Sequence, residues 1–197
     1  MTLACFTISA LDLLDALETY TSADERAAYI DWIYRCQHPN GGFRGFTGAD
    51  PGRQRSEKNE CWDPANLAAT YFALATLVIL GDDFKRVKRR ECLQWLRSLQ
   101  LEDGSFREGT RAFGEVSGGG DVRFGYCAAS VKWILSRGSD SDAVAQKEDI
   151  NVEALAQSIT SLQVGDLSLG PTGIELRRDD RPTRAALETR LSKKRMV

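Results

Sequence analysis

The side chains able to do chemistry are few and scattered. Five cysteines stand at 5, 36, 61, 92 and 127, none in a C-x-x-C pair, and the single histidine is His38. An odd, widely spaced set of thiols reads as reduced and buried in the cytosol rather than as a disulfide framework. His38 precedes Pro39 in a turn, with no cysteine or histidine at metal-ligand spacing, which argues against a ligand role. Asp82-Asp83 has the composition of a magnesium-binding acidic pair, but Phe84-Lys85-Arg86 follows instead of another acid, and capping fits better. Gly118-Gly119-Gly120 lacks the preceding strand and the following lysine-serine pair of a phosphate cradle. Arg123 remains, beside Asp121 and at the head of the apolar run RFGYCAASVKWIL. It is either half of a structural ion pair or a cation held towards a cavity.

The elements that must position these residues repeat. Gln37, Gln100 and Gln163 are 63 residues apart (100 − 37 and 163 − 100), and each closes a helix-like segment: YIDWIYRCQ, CLQWLRSLQ and ALAQSITSLQ. The first two lead into near-copies of one turn, QHPNGGF and QLEDGSF. Between turns an apolar segment precedes an amphipathic one. The apolar segments are Ala4–Leu17, Leu67–Leu80 and Arg123–Leu135. Their amphipathic partners are Ala23–Gln37, Phe84–Leu99 and a third carrying Val152, Leu155, Ile159 and Leu162 at helical spacing. Leu67–Leu80 has no charged residue, so it is expected to be buried all round or to line an interior. Phe84–Leu99 turns Lys85, Lys88, Arg89 and Arg90 to solvent, as an outer-layer helix would. The pattern predicts three hairpins, each of an inner and an outer helix. A hairpin of this kind cannot bury its inner helix without neighbours. In the turns, glycine accepts a positive φ, Asp or Asn bonds back to local amides, and the phenylalanine plugs the junction between units.

Composition excludes other classes. A formal net charge of −2 over 197 residues gives no electrostatic case for nucleic acid or a membrane surface. The start has no basic region and no cleavage site of a signal peptide. The longest apolar run, Leu67–Leu80, makes a helix of about 21 Å, too short for a bilayer.

The segments YIDWIYRCQHPNGGFRGF, WDPANLAATYFALATLVILGDD, CLQWLRSLQLEDGSF and DVRFGYCAAS, in this order, resemble the β subunits of protein prenyltransferases. LVILGDD followed by LRSLQLEDGSF is most similar to the β subunit of the type I geranylgeranyltransferase. The resemblance implies an all-α fold, a partial α–α toroid holding about three of roughly six helical hairpins, with inner helices around an apolar funnel. It implies transfer of a geranylgeranyl group from its diphosphate to the cysteine of C-terminal C-a-a-X proteins. It also implies a zinc ion that makes this thiol a thiolate, an obligatory α subunit and a cytoplasmic setting. By the same resemblance Arg123 is the funnel arginine near peptide and isoprenoid, and Tyr126 belongs to the aromatic wall of the isoprenoid pocket. Thr2, Asn66 and Phe124 fall around the peptide's last residue or the isoprenoid end. A small Thr2, where farnesyl-transferring members carry a Trp, leaves room for the longer lipid. Each has a second reading: Arg123 pairs with Asp121, Tyr126 and Phe124 are core, and Asn66 starts the helix at 67.

The sequence also departs from the family. The family's zinc ligands, an Asp and a Cys two residues apart and then a His, belong to later hairpins and have no counterpart here; nor do the basic residues that grip the diphosphate. The division read from the sequence is a partial toroid over 1–163 and a polar tail over 164–197. The tail holds no aromatic residue and eight Lys or Arg against five Asp or Glu, and is expected to be poorly ordered. The chain reads as a β subunit cut short at both ends and without turnover of its own, because a thiol without zinc stays mostly protonated at neutral pH. Two further classes compete. A helical-repeat binding module would hold a peptide or lipid tail without chemistry. A terpene-cyclase-like enzyme shares such turns but needs an acidic D-x-D-D proton donor, which is not found.

Overall fold

The computed structural model describes residues 1–56, 58–59, 63–110, 116–117, 121–136 and 150–165. In chain order these form α1 (Thr2–Leu13), α2 (Leu17–Tyr20), α3 (Ala23–Arg35), two single-turn 3-10 helices at Thr47–Ala49 and Gly52–Gln54, α4 (Leu67–Ile79), α5 (Arg89–Ser98), β1 (Gly109–Thr110), β2 (Val116–Ser117), α6 (Val122–Ser136) and α7 (Val152–Gly165). The chain divides into two units, Met1–Ile159 and Thr160–Val197. Of the second unit, the described residues are the end of α7. Cys61, Gly118–Gly120 and the tail from 166 onwards lie outside the described residues.

The all-α expectation holds. Among the described residues the only sheet is the two-residue antiparallel pairing of β1 with β2. The charge-free α4 packs between α1 and α6, so the three inner helices stand side by side. Outer helix α3 lies against α4, and α5 against α6. Leu67, Leu74 and Leu77 of α4 join Leu96 and Leu99, Val131 and Leu135 in one buried cluster. Among the described residues no helix is long and apolar enough to cross a membrane.

Two helices are shorter than the sequence pattern predicts. The segment expected over Ala4–Leu17 stops at Leu13, because Asp15 takes a left-handed φ of 53° and turns the chain into α2. The helix expected from Phe84 begins at Arg89. Asp82 and Asp83 accept hydrogen bonds from the backbone N–H groups of Phe84 (2.8 Å) and Lys85 (3.1 Å), and Phe84 sits at φ 61°. The two aspartates therefore shape a turn rather than cap a helix at 84.

The repeated turn behaves as expected. Asn40 accepts from the Gly42 N–H (3.2 Å), and Asp103 accepts from the Ser105 N–H (3.0 Å). Phe43 and Phe106 are buried. Gly41 (φ +95°) and Gly104 (φ +83°) do more than permit the turn. A Cβ at Gly41 would lie 2.1 Å from the backbone nitrogen of Cys92 in α5, and one at Gly104 would lie 2.1 Å from the Ala154 carbonyl oxygen in α7. Each turn is thus seated on the outer helix of the following hairpin. At the second turn Gln100 adds a reciprocal pair, donating to the Asn151 carbonyl (2.8 Å) and accepting from its N–H (2.7 Å).

The first turn is also tied to α4 by charge. Arg44 (2% exposed) forks onto Asp63 (1% exposed) through Nε and Nη2, the latter at 2.9 Å, and donates from Nη1 to the Gln37 carbonyl (2.7 Å). Asp63 also accepts from Arg55, whose Nη2 lies 3.2 Å from Asp50. Geometry of this kind suits a buried pair, since both partners keep their hydrogen bonds away from water.

Candidate functional site

Residues Ala68, Tyr71, Phe72, Ala75 and Val78 recur at helical spacing along α4, and none of them is fully buried. This is the less buried face of α4, from which Ala68 and Tyr71 still touch the core. Rings from the neighbouring inner helices extend it. Phe6 of α1, 57% exposed, meets Phe72 edge-on with ring centres 5.5 Å apart. Tyr126 of α6, 59% exposed, meets Tyr71 edge-on at 5.4 Å, and the two phenol oxygens share a hydrogen bond of 2.9 Å. Tyr71 and Phe72 are themselves 5.3 Å apart. The result is an open row, Phe6–Phe72–Tyr71–Tyr126, laid across three inner helices. Its polar atoms satisfy each other: the bond to Tyr126 first, and burial second, hold the Tyr71 phenol above its usual value, at about 12. A neutral, ring-lined strip without a charged side chain from α4 suits a long apolar chain rather than an ionic ligand.

A sequence profile described as "Prenyltransferase alpha-alpha toroid domain" matches residues 1–175. The chain belongs to the prenyltransferase alpha-alpha toroid family. Among curated relatives of this toroid, "Geranylgeranyl transferase type-1 subunit beta" of Arabidopsis thaliana is 29% identical over 160 residues, covering 76% of this chain and 40% of that protein. "Protein farnesyltransferase subunit beta" of Pisum sativum is 32% identical over 109 residues, covering 54% of this chain and 21% of that protein. Among solved structures, "Candida albicans protein geranylgeranyltransferase-I complexed with GGPP" superposes with a TM-score of 0.63 at 21% identity, over 81% of this chain and 43% of that chain. That last likeness is one of fold. The toroid chain described here thus spans less than half the length of each of these relatives.

Of the residues singled out in the sequence, the toroid brings only Tyr126 directly into the aromatic row. Arg123 lies one turn before it on α6; its side chain is 83% exposed and grips Asp121 through Nε (2.9 Å) and Nη2 (2.6 Å). The pairing lowers the Asp121 pKa and raises that of Arg123. Thr2 is exposed and stands four residues before Phe6 on α1. Phe124 is half-buried and packs against the core. Asn66 is the N-cap of α4, accepting from the Ala69 N–H (2.9 Å), and its amide donates to Glu108 (2.6 Å). Asn66 also donates its own N–H to the Phe43 carbonyl, while the Leu67 N–H goes to the Glu108 carbonyl, so both turns meet at this residue. Asn66→Ala is expected to cost about 1–2 kcal/mol in urea unfolding, the value of a lost cap with a further polar group left unpaired.

Sequence reasoning did not single out Phe6, Tyr71 and Phe72. Tyr71 and Phe72 are the only aromatics of α4, and Phe6 is the only one of α1, which was the available signal. Among the described residues, Cys5 and Cys127 lie near Tyr71, and Cys36 and Cys92 are buried in the core. Burial pushes Cys36 and Cys127 up, and Cys92 to about 12, which suits packing rather than nucleophilic attack. Among the described residues no three His, Cys, Asp or Glu side chains come together as a metal site.

Proposed function

We propose that this chain supplies the lipid-binding wall of a β subunit of a type I protein geranylgeranyltransferase. In this reading it pairs with an α subunit and holds geranylgeranyl diphosphate by its hydrocarbon tail for transfer to the cysteine of C-a-a-X proteins. The observation that carries it is the aromatic row over α1, α4 and α6, half-exposed and free of charge along α4. Phe6, Phe72, Tyr71 and Tyr126 would lie along the tail, Thr2 would leave space at its end, and Arg123 and Asn66 would face the peptide's terminus. Formation of the thiolate and grip on the diphosphate fall to groups outside the described residues. The longer match to the Arabidopsis type-1 β subunit, 160 residues against 109 for the Pisum farnesyltransferase β subunit, favours this reading over a farnesyl-transferring one.

The test is co-expression with a type I α subunit, followed by a titration with geranylgeranyl diphosphate. A stable complex with saturable binding is expected, and Tyr71→Ala or Phe72→Ala should weaken binding about tenfold or more, the value of one aromatic ring's buried surface. No complex and no saturable binding would remove the β-subunit reading. Saturable binding of the lipid without a complex with the α subunit would assign the chain to a non-catalytic lipid-holding repeat instead.

A further inference from the structure

The chain's only histidine, His38, is buried. The His38 ring stands between two donors, of which the neutral imidazole accepts one, its other nitrogen carrying the ring proton. The Asn40 backbone N–H points at Nδ1 (3.2 Å), and the Arg55 Nη1 lies 3.2 Å from Nε2. The Asp63 carboxylate is 3.6 Å from Nε2, too far for a hydrogen bond. It is already engaged by Arg44 and Arg55. Arg44 and Arg55 balance Asp50 and Asp63 one for one, so the cluster is neutral only while the imidazole is neutral. An imidazolium has no lone pair for the Asn40 amide and adds a third cation beside two guanidiniums.

We propose that His38 is a proton-sensitive latch. Taking up a proton expels the ring from its seat between Asn40 and Arg55 and frees the 38–42 turn from the 50–56 segment. Burial acts first, and Arg44 and Arg55 act with it, to lower the His38 pKa; the Asn40 side chain and Asp63 act the other way and are outweighed. A folded-state value below the unfolded one means that the neutral ring's contribution is present in full above about pH 6.5. It is lost as the pH falls through that value towards the lower folded-state one. What opens is the strap between the first turn and α4. The Gly41 N–H bonds to the His38 carbonyl, the His38 N–H to the Gly42 carbonyl, and the Asn66 N–H to the Phe43 carbonyl.

Because there is one histidine, its ring signals in a proton NMR titration of the full-length chain belong to it alone. A midpoint below 6.5 is expected, and a midpoint at or above 6.5 overturns the proposal. Hydrogen exchange of peptides covering 38–56, corrected for intrinsic rates, should show protection falling several-fold between pH 7.5 and 5.5. Protection that stays flat in the wild type overturns the latch, and so does an H38Q chain that keeps the same pH dependence. Arg55→Gln should move the His38 midpoint upwards; an unchanged midpoint would remove Arg55 from the latch and with it the proposed mechanism. Should H38Q fail to fold, the wild-type ring titration still decides.

Discussion

Asp63→Ala is expected to lower folding stability by about 3 kcal/mol, the lower end of the cost of breaking a buried ion pair. Asp63 neutralises Arg44 at a site where almost no water reaches either side chain. Without it the Arg44 guanidinium keeps the Gln37 carbonyl at 2.7 Å and an Asp50 oxygen at 3.4 Å, which places the cost at the low end rather than the high one. Arg55 is partly exposed and turns to solvent at little cost. Replacing both partners of the pair, with Arg44→Met and Asp63→Leu, should restore most of the loss, because an apolar pair of similar size owes no desolvation. Guanidinium unfolding of the wild type and these two variants measures this. A loss below 1 kcal/mol for Asp63→Ala would mean that water reaches the pair.

Gly104→Ala is expected to cost about 2–5 kcal/mol, the sum of left-handed backbone strain in an alanine and of overpacking against fixed backbone. The methyl would meet the Ala154 carbonyl carbon at 2.2 Å as well as its oxygen, and neither can move without shifting α7. Gly81 is the control. It has φ +74° and nothing within 4 Å of its ideal Cβ, so Gly81→Ala carries only the backbone part, about 1–2 kcal/mol. The difference between the two variants measures the seating of the turn on α7. Equal midpoints in urea would show that no such seat exists.

The 63-residue spacing and the alternation of apolar and amphipathic segments were enough to read the hairpins, because inner helices carry composition as their signature and turns carry glycine. The helix ends were less legible. Asp15 and Phe84 take positive φ, and neither residue type announces it. The aromatic row was half legible. Tyr126 stood out by resemblance, while Tyr71 and Phe72 read as ordinary members of a buried helix. A residue of this open row has the same apolar character as one in the core, and only the packing of α1 and α6 on either side of α4 separates the two. The pairing of Arg44 with Asp63 spans 19 residues of irregular chain, where no periodicity points to a partner.

The seating of each turn on the next outer helix has a consequence for synthesis. Gly41 docks on Cys92, 51 residues downstream, and Gly104 docks on Ala154, 50 residues downstream. At a ribosomal pace of about 5–20 residues per second, each nascent turn waits roughly 3–10 seconds for its seat to emerge. During that interval the freshly made inner helix lacks its cover, and chaperones have their window on the growing chain.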